Sequence, residues 1–133
     1  MRKLLVIALG LFSFTVFSQE MITDANFEEK VNARSAFTDD NVSIVVVEFW
    51  ASFNAANQFN EHKKLEGVTY YRCDISKAPN SKKKHKVKTI PHIVIFKDGI
   101  DEAHFKAGIG FALTATLEEI QEAVKGLKTA SKF

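Results

Sequence analysis

Ser43-Ile44-Val45-Val46-Val47-Glu48-Phe49-Trp50 is an almost unbroken β-branched and aromatic run, and Ala51-Ser52-Phe53-Asn54-Ala55-Ala56-Asn57 follows it directly. A strand that is apolar at nearly every position, rather than at alternate ones, is covered on both faces, as in a parallel sheet. Glu48 is the oddity inside it. A carboxylate taken out of water needs a partner or a proton, so Glu48 marks a place where the core has to supply one.

Outward from this strand, Asn54–Leu65 reads as a short helix with Gly67 as its stop, and Val68–Ile75 as a second buried strand. Ala78–His85 is a polar helix or loop opened by Pro79. A third strand over His92–Lys97 ends at the Asp98-Gly99 turn, and Ala103–Ala107 alternates like its hairpin partner. Thr116–Leu127 is amphipathic, with Leu117, Ile120, Val124 and Leu127 at helical spacing. Upstream, Gln19–Thr23 is a short lead-in, possible strand material. Thr23 or Asp24 is the expected cap of a helix through Phe27, Val31 and Ala36, and Thr38–Asn41 is a turn cluster. Strands alternating with helices, closed by a hairpin, imply an α/β domain: a mixed sheet with helices on both faces.

Residues 1–18 read as an export signal: Arg2 and Lys3, then an apolar run from Leu4 to Phe17, with Val16 and Ser18 small enough for cleavage before Gln19. The expected division is therefore a signal peptide over 1–18 and one domain over 19–133. The apolar run falls short of the ~20 residues that span a bilayer, so no integral span is expected once it is removed. Loss of Arg2 and Lys3 leaves 16 basic against 16 acidic residues, which gives no argument for a nucleic-acid partner. Export to a periplasm or the extracellular space permits disulfides. Cys73 is nevertheless the single cysteine, so neither an internal disulfide nor a cysteine-rich metal site can form.

The chain resembles the thioredoxin family. The motifs are Val45-Val46-Val47-Glu48-Phe49-Trp50-Ala51 leading into Asn54-Ala55-Ala56-Asn57, then Ile90-Pro91, and Lys97-Asp98-Gly99 after a strand. The resemblance implies the thioredoxin fold over residues 20–128. It also places Asn54 and Asn57 where the family carries the two cysteines of its Cys-x-x-Cys motif. A carboxamide offers no thiolate, and the thiolate is what attacks a disulfide, so no dithiol–disulfide catalysis is expected. Cys73 corresponds to a core strand position, where a free cysteine acts as a small hydrophobe. Glu48 falls where the family keeps a buried acid and Arg72 where it often has lysine, so a Glu48–Arg72 pair is expected. The resemblance further implies a cis bond at Pro91 and backbone pairing with an extended substrate beside it. Peptide binding needs no cysteine and can outlive the chemistry.

The expectation is thus an exported, non-enzymatic thioredoxin-like domain without cofactor or metal. It binds a protein or extended peptide through a face formed by Trp50, Phe53, Asn54, Asn57, Ile90, Pro91 and His92. Two alternatives are a redox role through Cys73 alone and a structural subunit of an envelope assembly. His62, His85, His92 and His104 fall on four separate elements without metal-ligand spacing, which predicts solvated or core histidines. The run Ser81-Lys82-Lys83-Lys84-His85-Lys86-Val87-Lys88 reads as a solvated helix face, with contact to phosphates or anionic lipid headgroups as the alternative.

Overall fold

The computed structural model describes residues 21–33 and 42–129. The export signal, Ala36 and the Thr38–Asn41 turn cluster lie outside the described residues. The elements in order are β1 (Met21–Ile22), α1 (Phe27–Asn32), β2 (Ile44–Trp50), two 3-10 turns (Ser52–Asn57 and His62–Lys64), β3 (Thr69–Asp74), α2 (Pro79–Lys84), β4 (His92–Lys97), β5 (Ile100–Lys106) and α3 (Leu117–Thr129). The five strands form one sheet in the order β1-β3-β2-β4-β5. β3 runs parallel to both β1 and β2, while β4 is antiparallel to β2 and to β5. This is the thioredoxin arrangement of a mixed sheet.

β2 is central, which explains its composition. Val45, Val47 and Phe49 point to one face, where they pack with Phe27 and Val31 of α1 and with Ala78 and Val87 flanking α2. Ile44 and Val46 point to the other, against Ile120 and Val124 of α3. The period of two distributes an unbroken apolar run between two cores, and burying each such side chain contributes roughly 1.5–3 kcal/mol. Helix α3 begins with a capping box: the Glu119 amide donates to Thr116 Oγ1 and the Thr116 amide to Glu119 Oε2. Asp98 and Gly99 turn the β4–β5 hairpin with φ of 50° and 81°, the left-handed pair that a tight hairpin requires.

Three local expectations are corrected. Residues Asn54–Leu65 do not form one helix. Asn54 has non-helical φ and ψ, and Gln58 is extended. The Phe59 amide, which helix propagation would direct to the Ala55 carbonyl, donates instead to Glu48 Oε2 at 2.9 Å. A buried carboxylate has claimed the bond that the helix needed. Asp24 does not cap α1. Its carboxylate accepts from the Asn80 and Ser81 amides and the Ser81 hydroxyl, closing the start of α2. Asn26 stands at the α1 cap position, and α1 stops at Asn32 because Ala33 is extended. Finally, the hairpin partner begins at Ile100 rather than Ala103, with a bulge in its pairing opposite Ile95/Phe96.

Candidate functional site

β2 delivers the chain into Ala51 and the 3-10 turn that holds both asparagines. Asn54 is buried, and its Nδ2 donates to the carbonyl of Ile90 at 3.2 Å and to that of Phe111 at 3.0 Å. Asn57 Nδ2 donates to Asn54 Oδ1 at 2.8 Å. A hydrogen-bonded pair of carboxamides thus ties three segments together: the 3-10 turn, the Ile90–Pro91 corner with its cis peptide bond, and the loop through Phe111. The same bonds occupy the Ile90 carbonyl from within the chain.

Around this clamp the surface is apolar. Phe53 is 80% exposed, Phe111 52% and Ile109 fully so. Of the seven residues expected to form the face, Phe53 and Asn57 are exposed and Trp50 is half-buried; Asn54, Ile90, Pro91 and His92 are buried. His92 is therefore corrected from surface ligand to interior residue, its ring turned onto Phe49 with centroids 6.3 Å apart. Ile109 and Phe111 were missed. Their signal was two apolar residues in a glycine-bounded, non-periodic segment, Gly108-Ile109-Gly110-Phe111, a loop composition with no core to join.

Behind the clamp, Glu48 is fully buried and fully engaged. Its Oε1 accepts from Arg72 Nε and Nη2, each at 3.2 Å, and from the Tyr70 hydroxyl at 2.5 Å. Its Oε2 takes the Phe59 amide, and Arg72 Nη2 also donates to the Phe59 carbonyl at 3.3 Å. Parallel pairing sets Glu48 opposite Arg72, so both project to the α3 side of the sheet. Burial, with the Glu48 charge and hydrogen bond, raises the Tyr70 pKa far above its ordinary value and keeps the phenol a donor. Sequence alone paired Glu48 with Arg72, whereas Tyr70 and the Phe59 backbone emerge only from the fold. The network pins the chain immediately after the asparagine turn.

Three of the four histidines, His85, His92 and His104, converge on Asp101, while His62 stacks on Tyr70. His92 Nε2 meets His104 Nδ1 at 2.8 Å, His104 Nε2 meets Asp101 Oδ1 at 2.5 Å, and His85 Nδ1 meets Asp101 Oδ2 at 3.1 Å. The contacts assign a chain of donors. With neutral rings, His104 Nε2–H and His85 Nδ1–H donate to the Asp101 carboxylate, and His104 Nδ1 accepts from His92 Nε2–H; a proton on His104 reverses that last bond. His92 Nδ1 and His85 Nε2 are then bare acceptors, buried without a hydrogen-bond partner. Burial, then the neighbouring His104 and Lys106, depress the His92 pKa to about 4. Among the described residues no group of histidine, cysteine and acidic side chains is arranged to hold a metal.

Cys73 lies on β3, 0% exposed and in register with Phe49 and Ile22. Burial, assisted by Asp24 and Asp74, pushes its thiol up to about 12. That is opposite to the electropositive, partly exposed setting of a reactive thiol.

No curated protein matches the sequence. Among solved structures, a designed protein superimposes with a TM-score of 0.60 at 17% identity, covering 82% of this chain and 96% of its own. A chain from a structure on the thiol-resolving mechanism of yeast mitochondrial 1-Cys peroxiredoxin, via glutathione/thioredoxin systems, gives a TM-score of 0.55 at 17% identity, covering 84% and 95%. At that identity the likeness concerns the fold alone. The thioredoxin family model matches residues 18–119, most of the chain, and with the sheet order above it shows that this protein belongs to the thioredoxin family.

Proposed function

We propose that this thioredoxin-family chain is exported and acts without dithiol–disulfide exchange, binding a protein or extended peptide through the face centred on Asn54. The carrying observation is the exposure of Phe53, Ile109 and Phe111 around a carboxamide clamp that stands in place of two thiols. Three large apolar side chains held in water are unfavourable unless a partner covers them. The clamp also alters the mode of binding. Because Asn54 occupies the Ile90 carbonyl, strand-like backbone pairing there gives way to burial of partner side chains on the aromatic rim, with Phe53 as the central anchor.

The test is affinity capture with crosslinking from native envelope extract, comparing wild type with Phe53→Ser/Ile109→Ser. Both positions are exposed, so the variant is expected to unfold at the wild-type temperature while losing a specific partner by about ten-fold or more, on the order of 1–2 kcal/mol per apolar anchor. Equal capture by the two chains would remove the face from consideration.

Absence of thiol chemistry has its own test. A maleimide added to the native protein is expected to label Cys73 at roughly a hundredth or less of the free-thiol rate, and to label it fully on denaturation. Rapid labelling of the folded chain would restore a redox role through Cys73.

A further inference from the structure

The described structure holds a second surface, remote in composition from the aromatic rim and independent of the reading above. Helix α2 and the segment after it form a groove of about 380 Å³ lined by Pro79, Lys82, Lys83, Lys86, Val87 and Lys88. Lys84, outside this lining, is ion-paired with Glu28. Lys82, Lys83, Lys86 and Lys88 have no carboxylate partner among the described residues. Four lysines thus line one groove of a protein whose charges otherwise nearly balance. The solvated-face expectation accounts for their exposure but not for their sharing one groove.

Lys86 adds an independent observation. The Lys86 amide donates to the Lys83 carbonyl at 3.2 Å and the Val87 amide to the Lys82 carbonyl at 3.0 Å, the paired closure that ends a helix with one left-handed residue. That residue is Lys86, with φ of 56°. Glycine relieves the Cβ crowding of this conformation, and lysine does not. The chain accepts the strain and gains a fourth cation on the rim.

We infer that this groove docks the protein on anionic phospholipid headgroups at a bilayer face. The rim holds lysines and no arginine, so it offers compact charges on flexible stems rather than planar forks that grip one carboxylate or phosphate in two places. No buried polar side chain points into the groove to fix a single small ion. Such a surface responds to a field of many negative charges, and each lysine near an anionic leaflet strengthens attachment by about five-fold. Exposed Pro79 lines the same groove and adds an apolar ring that can meet the headgroup boundary.

The experiment is co-sedimentation of the full chain with mixed phosphatidylglycerol/phosphatidylcholine vesicles and with pure phosphatidylcholine. Wild type is compared with Lys82→Gln/Lys83→Gln/Lys86→Gln/Lys88→Gln and with Lys86→Gly. Every chain carries the same apolar N-terminal segment, so differences report the lysines alone. The quadruple variant is expected to lose on the order of a hundred-fold or more in partitioning to the mixed vesicles, with little change on pure phosphatidylcholine. Added salt should weaken wild type far more than the variant. Lys86→Gly is expected to unfold at higher denaturant concentration while binding about five-fold more weakly, a split that a purely structural lysine does not produce. Equal partitioning of wild type and the quadruple variant overturns the inference. So does inorganic phosphate displacing wild type from vesicles at matched ionic strength, which would identify a site for a single free anion.

Discussion

Arg72→Met is expected to lower the free energy of unfolding by about 3–5 kcal/mol, a large share of what a domain of this size has. The Glu48 carboxylate has no exposure, and Arg72 supplies two of its hydrogen bonds and, among the described residues, its only cation. Without Arg72, the carboxylate retains the Tyr70 hydroxyl and the Phe59 amide but no countercharge, and the Phe59 carbonyl loses a donor. Removing the acid as well is expected to recover only part of the loss. Glu48→Leu/Arg72→Met eliminates the stranded charge, yet it leaves the Tyr70 hydroxyl and the Phe59 amide without their acceptor. Adding Tyr70→Phe should recover a further ~1 kcal/mol by removing one of those unmet donors. Urea denaturation of the single, double and triple variants measures the order directly. A loss below about 1 kcal/mol in Arg72→Met would mean that water reaches the carboxylate and that the network does not pin the Phe59 segment.

Acidification is expected to destabilise the fold between about pH 6.5 and pH 4 through His92. The native ring resists protonation down to about 4, whereas the unfolded ring takes a proton near the ordinary value of 6.5. A native pKa below the unfolded one means that the unfolded state binds more protons as the pH falls. The stability contributed by neutral His92 is complete above pH 6.5 and is lost progressively toward pH 4, a total of roughly 3 kcal/mol. The geometry agrees with the sign. A proton on buried Nδ1 would meet no acceptor, and His104, Lys106 and His85 face the ring with Asp101 as the only anion among its close neighbours. The check is the slope of unfolding free energy against pH. His92→Leu should reduce proton uptake on unfolding near pH 5 by close to one. An unchanged slope in that variant would assign the acid sensitivity to the carboxylates.

The linear sequence already contained the framework of the molecule. The unbroken apolar run pointed to a strand covered on both faces, because its β-branched residues favour a strand over a buried helix. The Asp98-Gly99 dipeptide had to turn a hairpin. Glu48 inside that run required a partner, and Arg72 was legible through the family resemblance, which places a cation at that position; the parallel register then sets the two alongside. That positions 54 and 57 offer no thiolate was equally plain, since both are asparagine.

What Asn54 and Asn57 do instead was decided by tertiary structure alone. The Asn54 amide reaches carbonyls 36 and 57 residues further along the chain, contacts that no local spacing encodes, and Asn57 braces it from the same turn. The histidine cluster escaped for a related reason. Asp101 and His104 are three residues apart, and in a regular strand they would point to opposite faces. The bulge at Ile95/Phe96 resets the alternation of β5, so both turn toward His92 and His85. The helix expected after Asn54 failed because the Phe59 amide found a buried carboxylate from another strand. Composition and periodicity determined which segments are buried and in what form. Long-range hydrogen bonds, which depend on strand register and one bulge, decided which side chains meet and what the Asn54 corner presents to water.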